Sequence, residues 1–288
     1  MTQFSITSTS GRFTGPLFMI LAGALFAGAN TAVQAAGMIY GVPSPTTAFW
    51  QYAIATLFAA PMLLRATWRT KHLGWHLFRV LLAVIGVQAW VAGLASVPIW
   101  QAIALLLLSP IFVSIGARVF LGETLGAARL LAVCLGALGG AIILQPWSDG
   151  FSTASLLPVA AAAFWAGSSL VTKRLTASES TEVLTVYLLA LLLPFNAIAA
   201  LGTGFSLATE QMWIVALAGL FTVAAQFCLA RAYSLSDAAY LQPFDHLKLP
   251  LNVLLGLAVF GFAPPGSMWL GAFIIVASGA WLLKQENK

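Results

Sequence analysis

Apolar residues along this chain come in long, nearly unbroken runs rather than in the narrow stripes of a soluble helix. Ten of the runs are close to the roughly 20 residues that a helix needs to cross a bilayer. They cover approximately Pro16 to Ile39, Pro45 to Leu64, Leu73 to Ala95, Pro98 to Val119, Leu125 to Gln145, Ser155 to Leu175, Thr181 to Leu201, Gln211 to Arg231, Asp237 to Gly261 and Pro265 to Lys284. Between them stand turn-forming clusters: Gly41-Val-Pro-Ser-Pro45, Gln145-Pro-Trp-Ser-Asp-Gly150, Gly202-Thr-Gly204 and Pro264-Pro-Gly266. The pattern predicts an all-α integral membrane protein of ten transmembrane helices. A Ser/Thr-rich tail over residues 1–15 reads as disordered, and residues 285–288 as a short second tail.

Composition agrees. Sixty per cent of the 288 residues are hydrophobic and 7% are charged, against about a quarter charged in soluble domains. The net charge of +5 invites a nucleic-acid reading, but the basic residues are scattered singly rather than clustered. Their order explains them better. Arg12 precedes the first run; Arg65, Arg69, Lys71 and Arg79 surround the second connection; Arg118 and Arg129 flank the fourth; Lys173 and Arg174 sit at the sixth, Arg231 at the eighth, and Lys284 and Lys288 at the end. Twelve of the 13 Lys and Arg thus fall on one side, which the positive-inside rule makes cytoplasmic, together with both termini. The thirteenth is Lys248.

The two halves repeat. Ala24-Leu-Phe-Ala-Gly28 in the first run returns as Ala163-Phe-Trp-Ala-Gly167 in the sixth, an offset of 163 − 24 = 139, and the same offset carries Leu121-Gly122 onto Phe260-Gly261 and Gly140-Ala141 onto Gly279-Ala280. Val33-Gln-Ala35 has the small-residue spacing of a signal-cleavage site, but a helix duplicated in the second half belongs to the mature fold. Five helices is an odd number, so the second half enters the bilayer from the opposite face. The expected architecture is two five-helix inverted-topology repeats, 16–145 and 155–284, and that plan belongs to secondary transporters with a midplane site.

Within the ninth run stand Gln242, Asp245, His246, Lys248 and Asn252, between and beyond Pro243 and Pro250. Ionisable groups at membrane depth mark a functional site by default. At about 100° per residue, with Gln242 at zero, Lys248 falls at about 240°, Asn252 at about 280° and Asp245 at about 300°. These share a stripe about 120° wide that Gly256 extends, with His246 at its margin. The prolines lack the N–H groups that would bond the carbonyls of Ala239 and His246, so a kinked helix with free carbonyls is expected. Asp245 and Lys248, at i and i+3, could equally form a structural ion pair.

The run Ala230-Arg-Ala-Tyr-Ser-Leu-Ser-Asp-Ala-Ala-Tyr-Leu-Gln-Pro-Phe-Asp-His-Leu-Lys-Leu-Pro250 resembles the ninth-helix signature of the drug/metabolite transporter superfamily, EamA type. Ser109-Pro-Ile-Phe-Val-Ser-Ile-Gly-Ala-Arg-Val-Phe-Leu-Gly-Glu123 resembles that family's fourth helix, which ends Leu-Gly-Glu. By helix count and duplication the resemblance covers the whole chain. It implies export of a small metabolite, and the overall likeness to YddG-like exporters implies aromatic amino acids; another metabolite or a drug-like compound is the alternative. The chain departs from the family at Phe260-Gly-Phe262, where Phe-Gly-Glu is frequent, so Glu123 has no partner in the second half.

Aromatic residues sort by depth. Trp68, Trp75 and Trp281 fall near the inner boundary and Trp50, Trp147, Trp213 and Trp269 towards the outer one, as interfacial anchors do. Phe26 and Trp165 are mid-helix, repeat-related, and each followed two residues later by a glycine, Gly28 or Gly167, where backbones could approach. They are candidates to stack a substrate ring or simply to pack. Trp90 and Trp100 are candidates for a vestibule. Asn30, Gln34, Gln88, Gln101 and Gln226 are amides that must face protein or water, as interhelical glue or as cavity lining. Gly136 and Gly140 in the fifth run, and Gly271, Ser278 and Gly279 in the tenth, read as packing faces, and the chain is read as a monomer.

Other chemistries find no residues. There is no phosphate loop, no cofactor motif and no catalytic constellation. Cys134 and Cys228 stand alone, and His72, His76 and His246 show no His-Glu-xx-His pattern; His72 and His76, at i and i+4 on a cytoplasmic boundary, could hold a metal adventitiously but read as a solvated face. The rival classes are a lipid-modifying enzyme, for which Glu123 with Arg118 is the one suggestive boundary pair, and a channel. The expected partners are a small-molecule substrate and the lipid bilayer of a bacterial cytoplasmic membrane, without nucleic acid. The residues expected to meet substrate are Phe26, Asn30, Gln88, Trp90, Trp100, Gln101, Trp165, Gln226, Gln242, Asp245, His246, Lys248 and Asn252.

Overall fold

The apolar runs become helices because a backbone in hydrocarbon must satisfy its N–H and C=O groups within its own segment. The computed structural model describes residues 11–65, 68–121, 126–236, 241, 244 and 247–286. Their regular structure is helical, joined by turns and short irregular connections, with no strand among them. In chain order they form α1 (Gly11–Met38), α2 (Ser44–Arg65), α3 (Leu73–Leu94), α4 (Ile99–Leu106), α5 (Ser109–Leu121), α6 (Ala127–Leu144), α7 (Leu156–Leu175), α8 (Thr181–Ala200), α9 (Thr209–Leu235), α10 (Lys248–Phe260) and α11 (Gly266–Glu286). Six stretches are long and apolar enough to cross a membrane, including Ile99–Arg118, which spans α4 and α5, while α6, α10 and α11 hold shorter apolar helices.

Three boundaries differ from the expectation. First, α1 begins at Gly11, so part of the expected tail is helical; residues 1–10 lie outside the described residues. Second, the fourth run breaks into α4 and α5 at a turn over Leu107 and Leu108. Pro110 has no N–H for the carbonyl of Leu106, so the helix cannot run through at full bonding. Third, α10 starts at Lys248, which puts Pro250 in its first turn, where a missing N–H costs no intrahelical bond. Pro250 therefore opens a helix instead of kinking one; Pro243, His246 and Ala239 lie outside the described residues.

Polarity is turned inside out. Leu57, Phe58 and Leu64 of α2, Leu81 of α3, Phe227 of α9 and Phe273 of α11 are exposed, whereas Thr46, Thr47 and Gln51 of α2 are buried. Thr46 Oγ1 donates to the carbonyl of Gly204 (2.8 Å), and Gln51 Nε2 donates to Thr222 Oγ1 of α9 (2.9 Å). Thr47 Oγ1 has no partner, but the arrangement as a whole suits hydrocarbon outside and polar groups inside.

The strongest packing pairs α1 with α9, α3 with α7 and α6 with α11. At the α6–α11 crossing the backbones nearly touch: a Cβ on Gly139 would lie 2.7 Å from the carbonyl of Gly271, and one on Gly271 2.5 Å from that of Gly139. Gly136 and Gly140 turn the other way, onto Ile111 and Leu108, and Gly279 has open space around it. Two ends are defined by bonds between connections. At one, Trp50 Nε1 donates to the carbonyl of Phe205 and Gln211 Nε2 to that of Tyr40. At the other, Thr70 pairs with Glu179 and Tyr187 donates to the carbonyl of Trp68 (3.0 Å). Arg65, Arg69, Lys71, Lys173 and Arg174 belong to this second end.

Gln34, fully buried on α1, ties α1 to the α3–α4 connection. Its Nε2 donates to the carbonyls of Leu94 (3.0 Å) and Val97 (2.7 Å). The first of these is a carbonyl that Pro98 cannot serve. Gln34→Leu strips both carbonyls of a donor at about 1–3 kcal/mol each, and removing Gln34 Oε1, which has no partner, offsets only one such cost. A lower unfolding temperature in detergent is expected; an unchanged one would show these bonds to be dispensable.

Candidate substrate site

The described end of the ninth-run stripe faces inward. Lys248, Asn252 and Gly256 follow one another at i, i+4 and i+8, on one side of α10. Asn252, 1% exposed, donates from Nδ2 to the Lys248 carbonyl (2.6 Å) and accepts at Oδ1 from Asn30 Nδ2 of α1 (3.1 Å). Asn30 Oδ1 in turn accepts from Trp90 Nε1 of α3 (3.3 Å). One chain of bonds thereby joins α3, α1 and α10 across residues far apart in sequence. A Cβ on Gly23 would meet Lys248 Cβ at 3.7 Å, so Lys248 also packs on α1, and a Cβ on Gly256 would meet the side chain of Ile99, so α10 closes on α4.

An aromatic wall flanks the network. The Trp90 and Trp165 rings lie 5.8 Å apart between centroids at 47°. Trp165 Nε1 donates to the carbonyl of Ala83 (3.2 Å). The indole fits because residue 86 is glycine: a Cβ there would sit 2.5 Å from the ring. Both indole N–H groups are therefore bonded, and the ring faces are fixed by those bonds. Phe26 is half-buried one turn before Asn30 on α1.

Counting bonds shows what the amides retain. Asn30 has two N–H donors and an oxygen with two lone pairs. One donor and one lone pair are used, which leaves one of each on a side chain that is partly exposed. A donor and an acceptor on one amide, beside indole faces, can bind a planar heterocycle carrying adjacent N–H and C=O groups.

The other expected residues are dispersed. Gln88 points away, donating to Asn196 Oδ1 of α8 (2.8 Å), and Asn196 Nδ2 bonds the Leu192 carbonyl. Trp90 is nearly buried and so is a wall of the network, not a vestibule residue. Trp100 packs against the core from α4, Gln101 is half-buried beside it, and Gln226 is exposed on α9. Gly28 receives the Phe221 ring, not a backbone, and a Cβ on Gly167 would meet only Leu82, at 3.4 Å. Gln242, Asp245, His246 and Glu123 lie outside the described residues.

Sequence reading passed over Asn196 and Gln51, although both are amides in apolar helices. At the basic end the expected solvated face of His76 is instead buried, together with Arg79. Arg79, buried on α3, donates to the Leu184 carbonyl (2.6 Å) and Thr172 Oγ1 (3.3 Å), while buried His76 stacks on Tyr187 at 4.4 Å. The signal was available: Arg79 stands seven residues inside its helix, not at the boundary.

Residues 14–145 match the EamA-like transporter family. The chain is 50% identical over 293 residues to the riboflavin transporter of Rhizobium johnstonii, covering 100% of this chain and 97% of that one. It is 49% identical over 280 residues to the riboflavin transporter of Vibrio cholerae, covering 95% and 94%. A crystal structure at 20% identity, covering 96% of this chain and 99% of its own with a TM-score of 0.61, shares the fold.

Proposed function

The chain belongs to the EamA-like transporter family, and from that premise we propose that it carries riboflavin, or a flavin of the same shape, across the membrane by alternating access. It is a multi-pass protein of the bacterial cytoplasmic membrane. The observation that carries the substrate is the 50% identity, along the whole chain, with a riboflavin transporter. The geometry around Asn30 supports it. A flavin offers a flat three-ring face and an imide edge of alternating C=O and N–H groups. Half-buried Trp165 supplies stacking surface with Trp90 behind it, and Asn30, held by Asn252, supplies the amide. Gln242, Asp245, His246 and Lys248 are proposed to extend this site along the ninth run. Export of aromatic amino acids, implied by the sequence resemblance, gains nothing from these relatives.

Alternating access needs two halves, here 16–145 and 155–284. Exchanging α1 with α7, α2 with α8, α3 with α9, the α4–α5 pair with α10, and α6 with α11 turns the strongest packing pairs into other observed pairs or into themselves, whereas lesser pairs such as α2–α3 and α1–α3 have no counterpart of like extent among the described residues. Thus α1–α9 becomes α7–α3, α2–α9 becomes α8–α3, and α1–α10 becomes α7–α4, while α2–α8 and α6–α11 map onto themselves. That invariance supports an inverted repeat. The basic residues gathered at the Thr70–Glu179 end support a cytoplasmic assignment for that end and for both termini.

Purified protein in vesicles should move radiolabelled riboflavin in a saturable manner, and excess phenylalanine should leave the flux unreduced. Flux equal to that of protein-free vesicles sinks the flavin reading. Competition by phenylalanine would return the substrate to the amino acids. Repeating the measurement with and without a pH gradient reports whether a proton accompanies the substrate.

A further inference from the structure

Away from the Asn30 network, a groove of about 280 Å³ runs between α3 and α7 at the basic end. Its walls are Trp75, Phe78, Leu82 and Phe164, its floor is Gly167, and Arg174 stands at its mouth. Trp165 and Gly167 are two residues apart, so they project about 160° from each other around α7. The groove therefore lies on the opposite side of that helix from the aromatic wall. Beside it the face of α3 is apolar and exposed at Leu77, Phe78, Leu81 and Ile85, as a lipid-facing surface should be.

Two features make this a built site. The first is Gly167. A glycine in a packed helix pair usually admits a neighbouring group, but a Cβ here would meet nothing closer than Leu82 at 3.4 Å. The missing side chain hollows the floor without bringing the helices closer. The second is the charge at the mouth. The Arg174 guanidinium lies 4.4 Å from the centroid of the Trp75 ring, so its cation rests on an indole face, a contact that leaves the N–H groups of a guanidinium available to an anion. Lys71 and His72 stand within four residues of Trp75 at the same end. An apolar trough that opens sideways, with a fork of guanidinium donors at headgroup depth, matches one kind of molecule in a bilayer: a chain attached to an anionic phosphate.

We propose that the α3–α7 groove holds an acyl chain of an anionic phospholipid whose phosphate is bound by Arg174. The lipid would act as a filler between two helices that belong to different halves of the protein. It would therefore weigh on how those halves move.

Native mass spectrometry of the full chain released from mixed vesicles tests this. With phosphatidylglycerol and phosphatidylcholine at equal fractions, phosphatidylglycerol should be retained about fivefold more, the effect of one basic residue near a membrane surface. Arg174→Gln should remove that preference while leaving chain retention. Gly167→Leu, which fills the floor, should lower retention of both lipids. Equal retention of the two lipids by the unaltered protein overturns the proposal, as does a preference that survives Arg174→Gln. A lipid-free dimer as the released species would also overturn it, because a second copy would then cover the groove.

Discussion

Asn30→Leu is expected to lower riboflavin flux in vesicles by about tenfold or more, because one substitution leaves Trp90 Nε1 without an acceptor and Asn252 Oδ1 without a donor. It also removes the donor and acceptor that the proposed site would offer a ligand. Asn30→Asp separates the two effects. A carboxylate still accepts from Trp90 but cannot donate to Asn252, so an intermediate flux is expected. Because both variants disturb a partly buried network, flux should be normalised to the amount of protein with an unaltered melting transition. If Asn30→Leu protein melts normally and transports riboflavin with unchanged kinetics, the network is structural and the substrate is held elsewhere.

Gly139→Val is expected to have the largest effect on stability. Its Cβ would fall 2.7 Å from both the Gly271 carbonyl and Ile275 Cγ1, and the carbonyl is backbone that cannot rotate away. The helices must separate, and the cost should be on the order of 3 kcal/mol. Gly266→Ala is the matched control, because a Cβ there meets nothing within 4 Å. Its effect should stay within about 0.5 kcal/mol. Both are read from unfolding midpoints in detergent. A stable Gly139→Val protein would mean that the α6–α11 seam opens at little cost.

Part of this architecture is legible in the sequence. Apolar length announces a membrane helix because the bilayer sets its minimum span, so the runs that became α1, α3, α7, α8 and α9 were visible at once. The turn at Leu107 and Leu108 was not. Leucines on both sides continue the hydropathy signal, and only Pro110 carries the information that bonding fails there. In the site, Asn30 and Asn252 each stood out as an amide in an apolar helix. That they bond each other across 222 residues depends on how α1 meets α10, which helical angles about one axis cannot supply. Gln88 illustrates the same limit, since the identical signal led to a partner on α8. The proposed substrate is the least visible of all. Aromatic faces and amides suit an aromatic amino acid and a flavin alike, and composition does not distinguish them.

The buried polar side of α2 has a consequence for how the protein is made. Thr46 finds its partners 157 and 158 residues further along the chain, and Gln51 finds Thr222 after 171. A helix emerging from the ribosome cannot use bonds to segments not yet synthesised. Until α8 and α9 arrive, the threonines can bond back to carbonyls of their own helix, but an amide as long as that of Gln51 has no such local substitute. During translation α2 is thus a segment waiting for its neighbours, and the second half of the chain completes the insertion of the first.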